Sequence, residues 1–282
     1  MTNVPEAPVP SKPNARRFEG KVAFITGAAR GQGRAEAVRL AAEGADIIAL
    51  DICKDLETTQ YPGATPEDLA ETARLVEELD RRIVTSQADI RDFDAVKATV
   101  EAGVNELGRL DVVIANAGMT TAARAWEISA RHWQATIDVN LTGAFHTAKA
   151  AIPVMIGQGT GGAIVFTSSD AGLVGFPLLA DYVAAKHGVT GLAKTLANEL
   201  AEYRIRVNSV HPFGVATGLH IPELQPLLSS VSAGLQALYM PALPDRVSQA
   251  DDIAAAVAWL ASDEARHVTG VQLPVDLGRS NR

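Results

Sequence analysis

Lys21 to Gly44 reads KVAFITGAARGQGRAEAVRLAAEG, and this stretch decides the fold. Lys21 to Thr26 has the composition of a strand, and it runs straight into a turn with glycines at Gly27, Gly31 and Gly33. Arg34 to Gly44 then has helical spacing, with Ala37, Val38 and Leu40 to Ala42 apolar and Gly44 where a C-cap belongs. Glycines permit a tight turn and let the backbone approach a pyrophosphate, which then sits at the positive end of the helix. A glycine pattern alone is weak evidence, since loops are rich in glycine anyway. Its place between a strand and a helix is what gives it weight.

Apolar runs and helical patterns alternate from there onward. Asp46 to Leu50, Ile83 to Gln87, Leu110 to Ala115, Ala163 to Thr167 and Arg206 to Val210 read as strands. Helices are expected at about Pro66 to Leu79, Phe93 to Leu107, Ala130 to Ile156, Leu179 to Glu202 and Gln249 to Ala261. Such alternation indicates βαβ units, and nearly continuous apolar strands indicate a parallel sheet covered on both faces. With right-handed crossovers, the expectation is one α/β domain of Rossmann type with a doubly wound, seven-stranded parallel sheet. No linker, composition shift or repeat divides it, so residues 20–282 are read as a single domain behind a leader of residues 1–19. Gly214 to Leu243, rich in Pro, Leu, Ser and Gly, reads as an inserted substrate loop with short helices.

A chain of 282 residues, 47% of them apolar, can bury one core without disulfides or metals. Its single cysteine, Cys53, offers no disulfide framework, so a reducing cytoplasm is the expected location. A net charge of −8 and the lack of a long basic run argue against nucleic acid as a partner. Apolar stretches such as Ala45 to Ile52 are too short, and too charged, to span a membrane. Met1 to Arg17 has no apolar core, so it is not a secretory signal; it reads as a disordered tail, with an arm on a neighbouring subunit as the alternative.

Asp51 ends the second strand, where a carboxylate accepts hydrogen bonds from ribose hydroxyls and repels a 2′-phosphate. Arg30, inside the glycine loop, is a cation that favours such a phosphate. The carboxylate outweighs it, because an unpaired carboxylate beside a phosphate is hard to tolerate, and the cofactor expected is NAD. Thr26-Gly27-x-x-x-Gly31-x-Gly33 resembles the cofactor motif of classical short-chain dehydrogenases/reductases. Ala88-Asp89 is similar to that family's adenine-contacting position, and Asn116-Ala117-Gly118 to the motif that lies against the cofactor after the fourth strand. The resemblance covers Gly20 to Leu277. It assigns to the cofactor Gly27, Arg30, Gly31, Gln32, Gly33, Asp51, Ile52, Asp89, Ile90, Asn116, Ala117 and Gly118.

Tyr182-Val-Ala-Ala-Lys186 places a phenol and an ammonium on one helix face. A tyrosine with a pKa of about 10 is a poor base near neutrality. A nearby ammonium and the positive ring of oxidised nicotinamide both stabilise phenolate, which can then take an alcohol proton as hydride leaves. Alone the pair is common by chance. Ser169, thirteen residues earlier and just past an apolar strand, makes it specific. That spacing resembles the family's Ser–Tyr–Lys arrangement, in which the serine stabilises charge on the substrate oxygen. Ser168 is the alternative, and the spacing favours Ser169. Asn140, in Val139-Asn-Leu-Thr-Gly143, matches the family's fourth catalytic position, where the asparagine binds a water that links to the lysine. By itself it would pass for a satisfied buried asparagine. His211-Pro-Phe-Gly-Val-Ala-Thr217 departs from the family's Pro-Gly, since Phe213 follows Pro212 and the glycine moves to Gly214. Val215 and Thr217 still align with cofactor-contacting positions, and with Tyr182 and Lys186 they complete the expected cofactor set.

Gly27-Ala-Ala-Arg-Gly-Gln-Gly-Arg34, Leu50-Asp-Ile-Cys53, the long segment Lys54 to Glu67 and His211-Pro together resemble the mycofactocin-coupled branch of the family, which includes carveol dehydrogenases. The resemblance implies oxidation of terpenoid or other hydrophobic secondary alcohols. It also implies NAD that is held tightly and reoxidised in place by an external redox carrier. An insertion beside the adenosine end can cover a cofactor and slow its release, although a harmless surface loop would read the same way. Phe176, Leu178 and Met119 are expected to line the substrate pocket, with Leu219, Leu224 and Leu228 closing it. His132, His146, His187, His211, His220 and His267 show no metal-ligand spacing, so no metal is expected. Trp126, Trp133 and Trp259 read as core or interface residues, and Leu179 to Ala201, apolar on both sides, suits a homotetramer. Two rival functions remain: a non-catalytic NAD-binding sensor, and a ketone reductase that exchanges NAD(P)H. The sensor would be free to lose Tyr182 or Lys186, and this chain keeps both.

Overall fold

The computed structural model describes residues 16–219, 221–245 and 247–281. Strands β1 (Val22–Thr26), β2 (Asp46–Asp51), β3 (Ile83–Gln87), β4 (Val112–Ala115), β5 (Gly162–Thr167), β6 (Ile205–Pro212) and β9 (Gln272–Val275) form one parallel sheet. Its order, β3-β2-β1-β4-β5-β6-β9, reverses direction at β1, which pairs Thr26 with Leu50 on one side and Ile25 with Ile114 on the other. A crevice opens beyond the carboxyl ends of the strands at such a reversal, and ligands bind there. A second sheet of two short strands, β7 (Val215–Ala216) and β8 (Ser248–Gln249), closes the base of the 214–243 insertion.

Helices cover both faces. On one side α1 (Gly31–Ala42) packs against α9 (Ala250–Ala261), with α2 (Pro66–Glu77) beside α1. On the other lie α3 (Phe93–Leu107), α4 (Ala130–Ile137), α5 (Gly143–Gln158) and α6 (Ala180–Glu199). Every residue of β1, β2 and β4 is therefore buried, which is why these strands are apolar without alternation. Phe24 and Phe166 are fully buried in this core, and each such side chain contributes about 2–3 kcal/mol. The insertion carries α7 (Leu224–Ser229) and α8 (Ala233–Ala237).

Several boundaries differ from the sequence expectation, most of them by one to three residues, and three of the differences bear on the site or the core. Helix α1 begins at Gly31 rather than Arg34, so the glycines form its first turn instead of preceding it. The expected helix from Ala130 to Ile156 is interrupted by a π-turn over Asp138–Thr142, centred on Asn140. The Asn140 amide donates to the Thr136 carbonyl at 3.0 Å, four residues back, and so displaces the backbone ladder. The folded body also starts before Gly20. Phe18 is fully buried, and Arg17 pairs with Glu43. The rest of the expected leader, residues 1–15, lies outside the described residues, as does His220.

Candidate active site

A cleft of about 470 Å³ lies at the reversal point, and the expected site residues meet in it. Gly27, Arg30, Gly31, Gln32, Asp51, Ile52, Asp89, Ile90, Asn116, Ala117, Gly118, Val215 and Thr217 line one end, and Asn140, Ser169, Tyr182 and Lys186 the other. Gly33 does not line it. Its Cα packs under the turn, where an added Cβ would stand 2.1 Å from the Gly27 carbonyl oxygen.

The nucleotide end has the chemistry of an anion site beside a fixed carboxylate. The N-cap of α1, Arg30, makes no side-chain cap, and the first turn holds no acidic residue, so its amides remain open to an anion. Asp51 accepts from the Ala29 and Cys53 amides, both at 3.0 Å, which pins it at the end of β2. Arg30 is drawn away, donating to the Pro62 carbonyl at 2.6 Å. That contact, with Asp51 beside it, favours a bare ribose hydroxyl over a 2′-phosphate.

The segment between β2 and α2 crosses the mouth of the cleft. Arg30 holds it on one side; on the other the Tyr61 hydroxyl accepts from the Thr120 amide at 3.2 Å. Leu56, Thr59 and Tyr61 line the interior. The length of the Lys54 to Glu67 segment allows for such a cover, and its anchors depend on contacts 32 and 59 residues apart.

At the catalytic end, the Ser169 hydroxyl follows β5, donates to Asp170 Oδ1 at 3.1 Å and accepts from the Ala171 amide at 3.1 Å. The Ser168 hydroxyl instead donates to the Lys186 carbonyl at 3.0 Å, which commits it to α6. Lys186 Nζ donates to the Thr167 carbonyl at 2.8 Å and lies 5.5 Å from the centre of the Tyr182 ring. Asn140 accepts from the Met119 amide and donates to the Met119 carbonyl, at 3.2 and 2.8 Å. A Cβ on Gly118 would be 2.8 Å from Asn140 Oδ1 and 3.5 Å from Lys186 Nζ, so the missing side chain leaves these two groups facing.

Burial pushes the Tyr182 phenol well above its ordinary value; the Ser169 hydrogen bond opposes this and the charge of Asp170 adds to it. Lys186 is itself pushed down to about 8 by burial. Without the positive nicotinamide ring, desolvation governs the phenol, and the lowering expected needs the ammonium and that ring together.

Asp181 escapes the sequence reading, and His211 enters it as part of a motif and not for its contacts. Asp181 accepts from the Tyr182 amide at 2.9 Å and from the Thr136 hydroxyl at 2.7 Å, tying α6 to α4. His211, fully buried, lies with Nδ1 2.6 Å from the Ser169 carbonyl and Nε2 2.8 Å from the Ser209 hydroxyl. Burial pushes its imidazole from 6.5 down to about 4. An unfolded histidine takes up a proton below 6.5 that the buried one refuses until about 4, so its contribution to stability falls as pH drops across that window. His211→Gln is expected to lose this acid-side decline relative to the parent, which a pH series of thermal melts would read.

The unusual Phe213 stacks on Phe176, centroids 6.0 Å apart, and Phe176 meets Tyr239 at 4.9 Å. Gly214, at φ +56°, makes the turn that the displaced glycine requires. Met119, Phe176, Leu219 and Leu224 line the substrate end as expected, and Leu178 and Leu228 do not. Leu178 has φ +70° and its carbonyl accepts from the Ala123 amide, which turns Leu179 into the cleft in its place. Leu228, one turn further along α7 than Leu224, is not among the residues that line the cleft. Cys53 is buried and its thiol is pushed up to about 12 by burial, so it is no nucleophile. Among the described residues no group of three His, Cys, Asp or Glu side chains is placed to hold a metal ion. No helix among them is long and apolar enough to cross a membrane.

Residues 21–226 match the short chain dehydrogenase family. A (−)-trans-carveol dehydrogenase of Rhodococcus erythropolis is 44% identical, over 93% of this chain and 98% of its own length. Among solved structures, a carveol dehydrogenase from Mycobacterium avium in complex with NAD is 50% identical with a TM-score of 0.89, covering 94% of this chain and 99% of that one. A short chain dehydrogenase from Mycobacterium paratuberculosis bound to NAD is 47% identical with a TM-score of 0.91, covering 94% and 100%.

Proposed function

The chain belongs to the short chain dehydrogenase family, and from that premise we propose that it interconverts a hydrophobic secondary alcohol, of the terpenoid class, and its ketone with NAD. The carrying observation is the meeting of Ser169, Tyr182 and Lys186 at the apolar end of a cleft whose other end joins Asp51 to an uncapped helix terminus. The residues fit the cofactor: open amides for the pyrophosphate, a pinned carboxylate for the ribose and a gap at Gly118 beside Lys186. When bound, NAD supplies the hydride acceptor and a positive ring.

The chain's own groups do the rest. Ser169 turns its hydroxyl from Asp170 toward the substrate oxygen and stabilises charge there. Tyr182 Oη takes the alcohol proton in oxidation and returns it in reduction. Lys186, anchored on the Thr167 carbonyl, holds the phenolate by charge, and the facing Asn140 carries the proton path outward. Phe176, Phe213 and Tyr239 exclude water from the substrate end.

The crossing segment from Arg30 to Thr120 supports a cofactor that is retained and reoxidised in place by an external carrier of the mycofactocin kind. Purified protein, denatured, is expected to release stoichiometric NAD; empty protein that turns over only with added NAD would make it an exchanging dehydrogenase. Asp51→Asn is expected to narrow the NAD-over-NADP preference in kcat/KM by about tenfold, about 1.4 kcal/mol; an unchanged ratio would remove Asp51 from cofactor choice. Exposed Trp133, Phe145 and Trp259 on α4, α5 and α9 support a homotetramer, which light scattering would measure. The lone, unbridged Cys53 supports a reducing cytoplasm.

A further inference from the structure

Ser169 has a charged neighbour that the mechanism above does not use. Asp170 is 2% exposed and lies between the serine and the end of the chain. Its Oδ1 accepts from Ser169 Oγ at 3.1 Å; its Oδ2 accepts no hydrogen bond and stands 3.7 Å from Arg279 Nε. Arg279 follows β9 on a tail that Asp276 fixes by accepting from the Gly278 and Ser280 amides. Its guanidinium also donates to the Leu238 carbonyl at 2.7 Å and lies 3.6 Å from the centre of the Phe176 ring. One side chain thus touches the serine's neighbour, the substrate wall and the far end of the insertion. A buried ion pair of this kind is weak support for stability, since an apolar pair of the same volume does as well. Its position points to another use.

We propose that Asp170 and Arg279 are a positioning pair for Ser169, in which Arg279 fixes the Asp170 carboxylate and Asp170 accepts the serine hydrogen bond until the substrate oxygen accepts it instead. The proposal rests on the alcohol–ketone reading above. While Asp170 is charged, its field disfavours phenolate at Tyr182. A neutral Asp170 removes that field and frees the serine proton to face the phenol oxygen. Both changes favour the base that alcohol oxidation needs. Burial pushes Asp170 up to about 7, with Arg279 opposing, so the pair changes state near neutrality. The charged and titratable groups facing it are Arg279 and Asp276 from the tail, Tyr182 from α6 and Tyr239 from the end of the insertion.

The test is the pH dependence of kcat and kcat/KM for oxidation of a hydrophobic secondary alcohol by the parent protein and by Asp170→Asn, Arg279→Met and Arg279→Lys. Asp170→Asn is expected to move the acid limb, the rise of oxidation rate with pH, down by about one pH unit. Arg279→Met is expected to lower kcat about tenfold with little change in KM, and Arg279→Lys to recover most of it. A second readout needs no turnover. A carboxyl raised from 3.8 to about 7 contributes stability that is full below 3.8 and lost as pH rises through 7, so Asp170→Asn is expected to lack that alkaline loss in thermal melts. Should Arg279→Met fail to fold, Arg279→Lys and Asp170→Asn carry the test. Active parent protein whose folded variants keep its pH profile would overturn the pair alone. Parent protein inert toward every such alcohol would overturn the functional reading, and the pair's role with it.

Discussion

Tyr182→Phe is expected to lower kcat for alcohol oxidation by about a thousandfold or more, while NAD binding stays within about twofold of the parent. The substitution removes one oxygen and leaves the ring whose centre lies 5.5 Å from Lys186 Nζ. The anchors of α6 survive, because Asp181 bonds the backbone amide of residue 182 and Lys186 bonds the Thr167 carbonyl. What disappears is the hydroxyl proposed to exchange a proton with the substrate oxygen. Turnover and nucleotide affinity, measured on the same preparation, separate the cases. Equal loss of both would mean that Tyr182 serves the structure and not the chemistry.

Gly33→Ala is expected to cost about 3 kcal/mol or more and to abolish nucleotide binding. The new Cβ would lie 2.1 Å from the Gly27 carbonyl oxygen and 2.8 Å from Asn116 Nδ2. Neither can retreat cheaply: the Gly27 amide is bonded to the Leu50 carbonyl, and Asn116 is bonded to the Thr26 carbonyl at 3.0 Å. The first turn of α1 would have to move away from β1 and carry the open amides with it. Gly157→Ala is the control, since a Cβ there meets nothing within 4 Å and the site is inside α5. That variant is expected to gain about 0.5–1 kcal/mol, as glycine does poorly inside a helix. Thermal melts of the two would decide the matter, and a Gly33→Ala protein as stable as the parent would contradict the packing described for the turn.

Much of this molecule was legible in its residues, for a physical reason. A strand covered on both faces has to be apolar throughout, so β1, β2 and β4 announce themselves and the strand–turn–helix at Gly27 follows. Tyr182 and Lys186 share a helix face, so their spacing alone brings them together. The rest depends on contacts that have no period. The π-turn at Asn140 comes from one amide bonding the Thr136 carbonyl, which the helical pattern of Ala130 to Ile156 does not display. His211 positions Ser169 from 42 residues away, and Tyr61 reaches Thr120 across the cleft. Leu178 and Leu179 exchange places in the cavity because one residue has a left-handed backbone, and neighbouring leucines give no hint of which it is. Phe18 looks like part of a polar leader until Arg17 and the core claim it.

The most direct test of the account is a single-turnover experiment without an external acceptor. Concentrated protein, supplied with NAD if it is isolated empty, is mixed with a cyclic terpenoid alcohol and reduced nicotinamide is followed by absorbance, with Tyr182→Phe in parallel. About one equivalent of reduced cofactor per chain, with the matching ketone formed and no signal from Tyr182→Phe, is the predicted result. No reduced nicotinamide from any hydrophobic secondary alcohol, in protein shown to hold NAD, would contradict the central claim and leave a nucleotide-binding protein without this chemistry.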